Sequence, residues 1–213
     1  MDNRQLIAAG YVLTAIAGWV DAQGFLALQG IFVSYMSGNT TLLGVALAQG
    51  HWGRAGPIAL VVGLFFAGCF AGAFLAASTG RRSMAVVAAV EAGALAIALV
   101  FSAGLGFPQT AAMLLAFAMG AQNAAATAIG PVRSGVTYVT GALFSAGQEL
   151  GRMATGTGSG AVFAGHVSSW AALLVGVIAG AWADARIGLL ALSVPCAVLL
   201  ALSAYSAAVS RER

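Results

Sequence analysis

The sequence contains very little charge. Charged residues make up 7% of its 213 residues, and the basic ones are all arginine, whereas a soluble globular domain carries roughly 25% charged residues. Hydrophobic residues account for 61% of the chain, and the mean hydropathy is +0.95. Because so few charges cannot cover a water-facing surface, the composition excludes a soluble domain and predicts an integral membrane protein.

Residues and motifs of common chemistries are also scarce. The two cysteines, Cys69 and Cys196, both lie in apolar runs and are expected to pack as small hydrophobic residues. The sequence has no H-E-x-x-H, G-x-S-x-G or phosphate-loop motif and no Cys/His cluster, so no enzyme activity, cofactor or metal site is expected. The densest basic cluster is the pair Arg81 and Arg82, which is too small to predict a nucleic-acid partner.

Long apolar runs take up most of the chain. A spanning helix needs about 20 apolar residues. Two shorter segments, residues 31–49 and 136–150, are interrupted by Ser, Thr, Gly and Asn, which predicts broken helices or re-entrant loops. The expected fold class is an all-α polytopic membrane protein, a single membrane domain with about six transmembrane helices and two broken or re-entrant segments. The predicted spans cover about residues 5–28, 57–79, 83–105, 108–129, 161–184 and 187–209.

The two halves of the chain resemble each other. Residues 32–38 parallel residues 136–141, and residues 18–22 parallel residues 120–124 at an offset of 102. Weak internal symmetry of this kind is typical of transporter folds. Chance matching in a chain rich in Ala and Gly is the alternative explanation. The predicted repeats cover about residues 5–105 and 108–209.

The arginines indicate an orientation, because short loops rich in Arg face the cytoplasm. If the broken segments re-enter without crossing and the N-terminus is inside, only Arg54 and Arg186 lie outside. If both broken segments cross fully, the bias almost disappears, so the six-span topology with cytoplasmic termini is favoured. Since three spans per repeat is an odd number, the second repeat is expected to be inverted relative to the first. The arginines that this topology places inside are Arg4, Arg81, Arg82, Arg133, Arg152, Arg211 and Arg213.

The breaks in the two short segments are where a solute site is expected. Each break precedes a helix-compatible stretch, about residues 39–49 and 141–151, capped by Ser37 and Asn39 or by Thr140. Two helix N-termini that converge from opposite faces favour an anion, because their N–H groups carry partial positive charge. The alternative is that these side chains only satisfy backbone groups freed by the break. The expected lining residues are Ser34, Tyr35, Ser37, Gly38, Asn39, Thr40, Thr137, Tyr138, Thr140 and Gly141.

Asp21 is the single residue with the strongest case for a functional role. It is predicted to lie roughly 10 Å inside the end of the first span, where a carboxylate costs about 2.5 to 3.5 kcal/mol. Such residues mark ion or substrate pathways, so Asp21 is a candidate for the residue that couples an ion to transport. The alternative role is a structural cap of the broken segment. Its counterpart in the second half is Asn123, and the neighbouring Gln122 is a further candidate contact to the solute.

Glu91 is a second carboxylate within a predicted span. Three environments are compatible with it: an ion pair with an arginine, a water-filled lumen, or a position near the helix end from which the side chain reaches water. The sequence does not choose among them.

The broken segments and the residues before them resemble a known family. Residues 18–22 and 32–40 are similar to a signature of the YoaK-like family of bacterial multi-pass membrane proteins, and residues 119–124 and 136–141 are similar to its second signature. Family members commonly have Thr where Ser37 stands here. The resemblance implies a six-span protein with a domain of unknown function in the bacterial cytoplasmic membrane, and it supplies no substrate.

These observations together predict a secondary transporter or channel for a small, anionic solute bound near the midplane between the two broken helices. The alternative is a non-transporting membrane scaffold or a partner of a sensor. The expected partners are the lipid bilayer, the small-molecule or ion substrate and, for so short a chain, a second copy in a homodimer.

Overall fold

The chain is helical throughout the residues that the structure describes. The structure is a computed structural model that describes residues 3–126 and 139–211, and these two ranges contain no strand. This confirms the all-α fold class. The helices are α1 (Asn3–Ala27), α2 (Met36–Ala48), α3 (Trp52–Thr79), α4 (Ser83–Leu99), α5 (Pro108–Ala126), α6 (Val139–Ala154), α7 (Gly160–Ile187) and α8 (Ser193–Arg211).

Long apolar helices support the membrane assignment. Large apolar side chains on the outer faces of α3 and α7, such as Phe66 and Ile178, are more than half exposed. An apolar outer face is expected where a helix contacts lipid. Four stretches of the described residues are long and apolar enough to cross a membrane: Gln5–Ala27, Trp52–Thr79, Ser83–Gly104 and Gly160–Ser210, the last of which contains both α7 and α8.

The helices α3 and α7 end in the same way. Each has 28 residues and is followed by a glycine with positive φ, +52° at Gly80 and +56° at Gly188. Glycine adopts this backbone conformation without the steric penalty that other residues meet. A short 3-10 turn follows each glycine, and Ser83 and Ser193 begin the next helices. The sequence predicted the last span from residue 187, and α8 begins later because of this turn.

Glycines bring α1 against α7 and α3 against α5. At each contact, a Cβ atom added to a glycine of one helix would meet the backbone of the other, so the helices approach more closely than larger residues permit. The two helix pairs make equivalent contacts. Adding 102 to a residue number in α1 gives the equivalent residue in α5, and adding 108 to a residue number in α3 gives the equivalent residue in α7. The matched contacts are Gly18 with Leu173 and Val177, Gly120 with Phe65 and Cys69, Gly176 with Ala15, and Gly68 with Phe117.

Contacts along α1 and α7 give their relative direction. Ala15 of α1 lies against Gly176 of α7, and Trp19, one turn later in α1, lies against Gly180. Both positions advance together along the chain, so α1 and α7 run parallel. The turns at the C-terminal ends of α4 and α7 also contact each other, so these two helices end on the same side of the bundle.

The helices α4 and α8 run in opposite directions. The Cys196 thiol donates to the Ala92 carbonyl at 3.5 Å, and the Ser203 hydroxyl donates to the Ala85 carbonyl at 2.8 Å. As the residue number rises in α8 it falls in α4, which defines an antiparallel pair. The buried core lies between these helices, α1 and α5.

Candidate functional site

The first broken segment begins with a reversal at the end of α1. The Gly30 N–H donates to the Phe25 carbonyl at 2.9 Å, and Gln29 and Gly30 have positive φ angles of 51° and 98°. This is a Schellman-type ending, in which left-handed residues turn the chain away from the helix. Val33 then packs against Gly24 of α1, in the space that a side chain at position 24 would need. The chain after α1 therefore runs back along α1 as a non-helical stretch with bends at Val33 and Ser34.

Asp21 holds this non-helical stretch against α1. Its Oδ1 atom accepts the backbone N–H groups of Val33 and Ser34, both at 2.9 Å. The broken segment has no helix or sheet partner for these donors, and a buried donor without an acceptor is costly. The carboxylate thus acts as the acceptor that the interrupted helix lacks.

Asn39 holds the same stretch from the other side. Its side-chain oxygen accepts the Phe32 N–H at 3.0 Å, and its amide nitrogen donates to the Phe32 carbonyl at 2.6 Å. Asn39 is completely buried. The paired bonds imitate one step of a β-ladder, so a residue in the first turn of α2 satisfies both backbone groups of Phe32.

Tyr35, an expected lining residue, belongs to an aromatic group that packs beside this clamp and includes Phe25, which the sequence analysis did not single out. The Phe25 and Phe32 rings are 4.8 Å apart between centroids, and Tyr35 meets Phe32 edge to face at 5.2 Å. A Cβ atom at Gly38 would overlap the Tyr35 ring, so the glycine allows Tyr35 to lie over the start of α2. The sequence around this group shows only an alternation of aromatic and small residues. That pattern is too common in membrane helices to predict the packing of these rings.

The start of α2 differs from the prediction. The helix begins at Met36 with Tyr35 as its N-cap residue, and no side chain among the described residues caps it. Asn39 cannot cap the helix because its amide is turned back to Phe32. Ser37 is exposed in the first turn, and the Thr40 hydroxyl donates to the Met36 carbonyl within α2 at 2.8 Å.

The candidate residues of the first half therefore divide into two groups. Asp21 and Asn39 are at least partly buried and hold the backbone, and Ser34 is buried with its backbone N–H bound by Asp21, whereas Tyr35 and Ser37 are exposed beside the N-terminus of α2. The structure brings all of them to one place, around the point where the chain turns into α2.

The second broken segment is described only from Val139. The helix α6 already includes Val139 and Thr140, so Thr140, an expected cap of a helix from about residue 141, lies within the helix, where it is exposed. Gly141 follows and is half-buried. Thr137 and Tyr138 lie outside the described residues.

Gln122 and Asn123 lie within α5. The Gln122 side chain is completely buried and donates to the Leu13 carbonyl of α1 at 2.9 Å. Leu13 lies eight residues before Asp21, which is roughly 12 Å along a helix. Asn123 donates to the Met119 carbonyl of its own helix at 3.0 Å. The structure thus does not bring Gln122 to the Asp21 clamp.

The C-terminal end of α6 carries a separate polar contact. The Glu149 carboxylate accepts the Ser159 N–H at 2.6 Å and forms an ion pair with Arg152 at 3.0 Å. The Ser159 N–H holds the pKa of Glu149 below its usual range, with a further contribution from Arg152, and together they outweigh the opposing effect of burial. This contact fixes the turn between α6 and α7.

Similar proteins place the chain in a family. A family model described as a protein of unknown function (DUF1275) matches residues 9–205. The chain is 38% identical over 216 residues to the UPF0700 transmembrane protein RA0705 of Rhizobium meliloti (strain 1021), a match that covers 99% of this chain and 92% of the relative. No solved structure matches the chain. These findings confirm the resemblance to the YoaK-like family and the membrane location, and the chain belongs to the DUF1275 family of transmembrane proteins.

Proposed function

We propose that the protein is a secondary transporter or channel for a small, anionic solute that binds at the N-terminus of α2. The observation that carries the proposal is that this helix begins without a side-chain cap, beside the exposed Tyr35 and Ser37. The N–H groups of an uncapped first turn carry partial positive charge and attract anions. Ser37 and Tyr35 add hydroxyl groups that can orient a bound solute.

The length of α2 supports a site inside the membrane. Its 13 residues rise roughly 20 Å, whereas a spanning helix must cross about 30 Å of hydrocarbon. Asp21 holds the segment before α2 at a level about six residues inside the end of α1, which is about 9 Å along the helix. The helix therefore starts at depth and leads back to the surface from which the chain entered.

The directions of the long helices support a six-span, inverted arrangement. Since α1 runs parallel to α7, and α4 and α7 end on the same side, α1 and α4 point the same way. Consecutive spans alternate in direction, so α3 opposes α4 and therefore opposes α1. One reversal between α1 and α3 leaves α2 without a full crossing. The same reasoning applied to α5 and α7 makes α6 re-entrant from the opposite face.

The antiparallel contacts of α4 and α8 provide an independent argument for this topology. If α5, α6 and α7 all crossed the membrane, α4 and α8 would run in the same direction. The contacts of Cys196 with Ala92 and of Ser203 with Ala85 have the opposite sense. Under the proposed topology the described start of α6, which carries the exposed Thr140, lies at depth, and we propose it as the second half of the site.

A non-transporting scaffold is the second candidate, favoured by one observation. Asp21 and Asn39, the two polar residues at the break, are both occupied by backbone groups of the same chain. Polar side chains that only satisfy a broken backbone need no solute. On this view the interior is sealed, and Ser37 is not reached by water.

Labelling of single cysteines separates the two candidates. In a background without Cys69 and Cys196, Ser37→Cys is compared with Thr41→Cys, which lies one turn further along α2 and is also exposed. We expect a negatively charged thiosulfonate reagent to react faster than a positively charged one at position 37, with less preference at position 41. Absence of reaction at position 37 with either reagent in the membrane-embedded protein would favour the scaffold.

Flux measurements test transport directly. Proteoliposomes are loaded with chloride, formate or acetate, and efflux is compared between the wild type and Ser37→Asp. The introduced carboxylate places a tethered anion at the N-terminus of α2, so we expect efflux to fall at least about tenfold. Efflux equal to that of protein-free liposomes for all three anions contradicts transport of small anions, and efflux unchanged in Ser37→Asp contradicts the proposed site.

A further inference from the structure

The carboxylate of Glu91 is buried without a partner. Glu91 is 1% exposed, and neither of its carboxylate oxygens has a hydrogen-bond partner among the described residues. Ala88 and Ala92, on the same face of α4, belong to the main core cluster. Within the described part of the chain, Glu91 has none of the three environments considered for it: it pairs with no described arginine, and it is neither exposed nor near a helix end. Buried polar groups are normally hydrogen-bonded, so this residue requires a functional explanation.

The elements packed against α4 bring no opposite charge to Glu91. The helix α5 has no charged residue, α8 has none over residues 193–210, and the turns at 100–104 and 188–192 have none. Arg54 lies in the first turn of α3. Arg81 and Arg82 come directly before α4, more than two helical turns before Glu91. The other titratable groups on these elements are Cys69 of α3 and Cys196 and Tyr205 of α8.

We propose that Glu91 is the proton-binding site of this protein, which holds a proton in the described conformation and releases it to water when the bundle opens. An ionised carboxylate without a counter-charge is far less favourable in an apolar interior than the neutral acid. Carboxylates inside membrane spans commonly serve as proton relays. On release the acid passes its proton to water and becomes a carboxylate, and it accepts a proton again from the opposite face. This role rests on the proposed transport function, because release requires an interior that opens.

Other polar atoms in the same core provide contacts for a water path. Trp19 Nε1, both polar atoms of the Gln23 side chain and Gln122 Oε1 are buried and have no partner among the described residues. Neighbours of these residues, including Val20 and Met119, belong to the same core cluster as Ala88 and Ala92 of α4. Asp21 is less suited to carry the proton, because its carboxylate already accepts two backbone N–H groups. The coupling role therefore passes from Asp21 to Glu91.

Infrared spectroscopy of the purified full-length protein tests the proton site without any substrate. We expect a carbonyl stretch of a protonated carboxylic acid that is present near neutral pH, shifts in D₂O and is lost in Glu91→Gln. Glu91→Asp should retain a band of this kind. The matched control is Glu149→Gln, which removes an ion-paired carboxylate and should leave the band unchanged. A spectrum of Glu91→Gln identical to that of the wild type overturns the proposal, and so does a band that never exchanges in D₂O.

Flux with and without a pH gradient tests what the proton does. We expect an inward proton gradient to accelerate anion flux in the wild type at least about tenfold and to have no effect in Glu91→Gln. A gradient effect that persists in Glu91→Gln overturns the coupling role, while transport itself stands. If no anion moves in any variant but the infrared band depends on Glu91, the transport function fails and the proton site stands.

Discussion

Asn39 and Phe32 are joined by two hydrogen bonds, one in each direction between the buried side-chain amide and the backbone. The bond from the Phe32 N–H is 3.0 Å long, and the bond to the Phe32 carbonyl is 2.6 Å long. Asn39 lies in α2 and thereby fixes the segment before α2 against that helix. The N-terminus of α2 therefore keeps one orientation relative to this segment.

Removing the Asn39 amide should destabilise the protein. Asn39→Ala leaves two backbone groups of Phe32 without partners, and we expect the free energy of unfolding to fall by about 2 to 4 kcal/mol. Thermal unfolding in detergent, followed by size-exclusion chromatography, measures the loss. Thr41→Val is the control, because this exposed hydroxyl contacts only the Ser37 carbonyl of its own helix. Equal stability of the two variants would contradict the clamp.

Asp21 is expected to act through its oxygen atom as well as its charge. Asp21→Asn keeps an acceptor for the N–H groups of Val33 and Ser34, whereas Asp21→Ala keeps none. We expect these two amides to exchange with deuterium about ten to a hundred times faster in Asp21→Ala, because a hydrogen bond to a charged group contributes roughly 1.5 to 3 kcal/mol. Exchange in Asp21→Asn should stay closer to the wild type, and exchange as fast as in Asp21→Ala would contradict this role.

The matched glycine contacts predict matched defects. A methyl group at Gly68 or Gly176 would overlap the backbone of the facing helix, and overpacking of this kind costs about 1 to 3 kcal/mol. We expect Gly68→Ala and Gly176→Ala to lower the thermal midpoint by similar amounts. Gly63→Ala is the control on α3, since open space surrounds that position and alanine favours the helix by about 1 kcal/mol. A stable Gly176→Ala beside an unstable Gly68→Ala would contradict equivalent packing.

The Glu149 contact predicts a pH-dependent turn. Since the pKa of Glu149 is lowered in the folded protein, its contribution to stability is complete above the ordinary glutamate pKa and disappears as the pH falls through the lowered value. We expect protection of the Ser159 amide, corrected for intrinsic exchange, to fall over that acidic range and to be weak at all pH values in Glu149→Gln. The Gly156 amide, bonded to the Met153 carbonyl, should not follow this pattern.

The proposed topology predicts which loops share a side of the membrane. Single cysteines at positions 54, 82, 155 and 186, in a background without native cysteines, can be labelled from each side. The six-span arrangement places positions 54 and 186 outside and positions 82 and 155 inside. Labelling of positions 54 and 155 from the inside, with position 82 labelled from the outside, would mean that both broken segments cross, and the opposed half-helix site would then be wrong.

The sequence alone determined the class of protein, because 61% hydrophobic and 7% charged residues leave a bilayer as the only solvent that such a surface suits. It also predicted an interruption within residues 31–49, and the structure has a non-helical stretch there before α2. The start of the segment predicted at residues 136–150 lies outside the described residues.

Only the tertiary structure decided what the polar residues at and between the breaks contact. The capping propensity of asparagine favoured Asn39 as a helix cap. In the structure its side-chain amide instead binds the backbone N–H and carbonyl of Phe32. Asp21 looked like the ionic residue because its depth is readable from the sequence, whereas its two N–H partners lie 12 and 13 residues further along the chain and are brought to it by the reversal at Gln29 and Gly30. The isolation of Glu91 could not be predicted either, because it depends on α5 and α8 presenting uncharged faces to α4, which is a property of packing rather than of any local pattern.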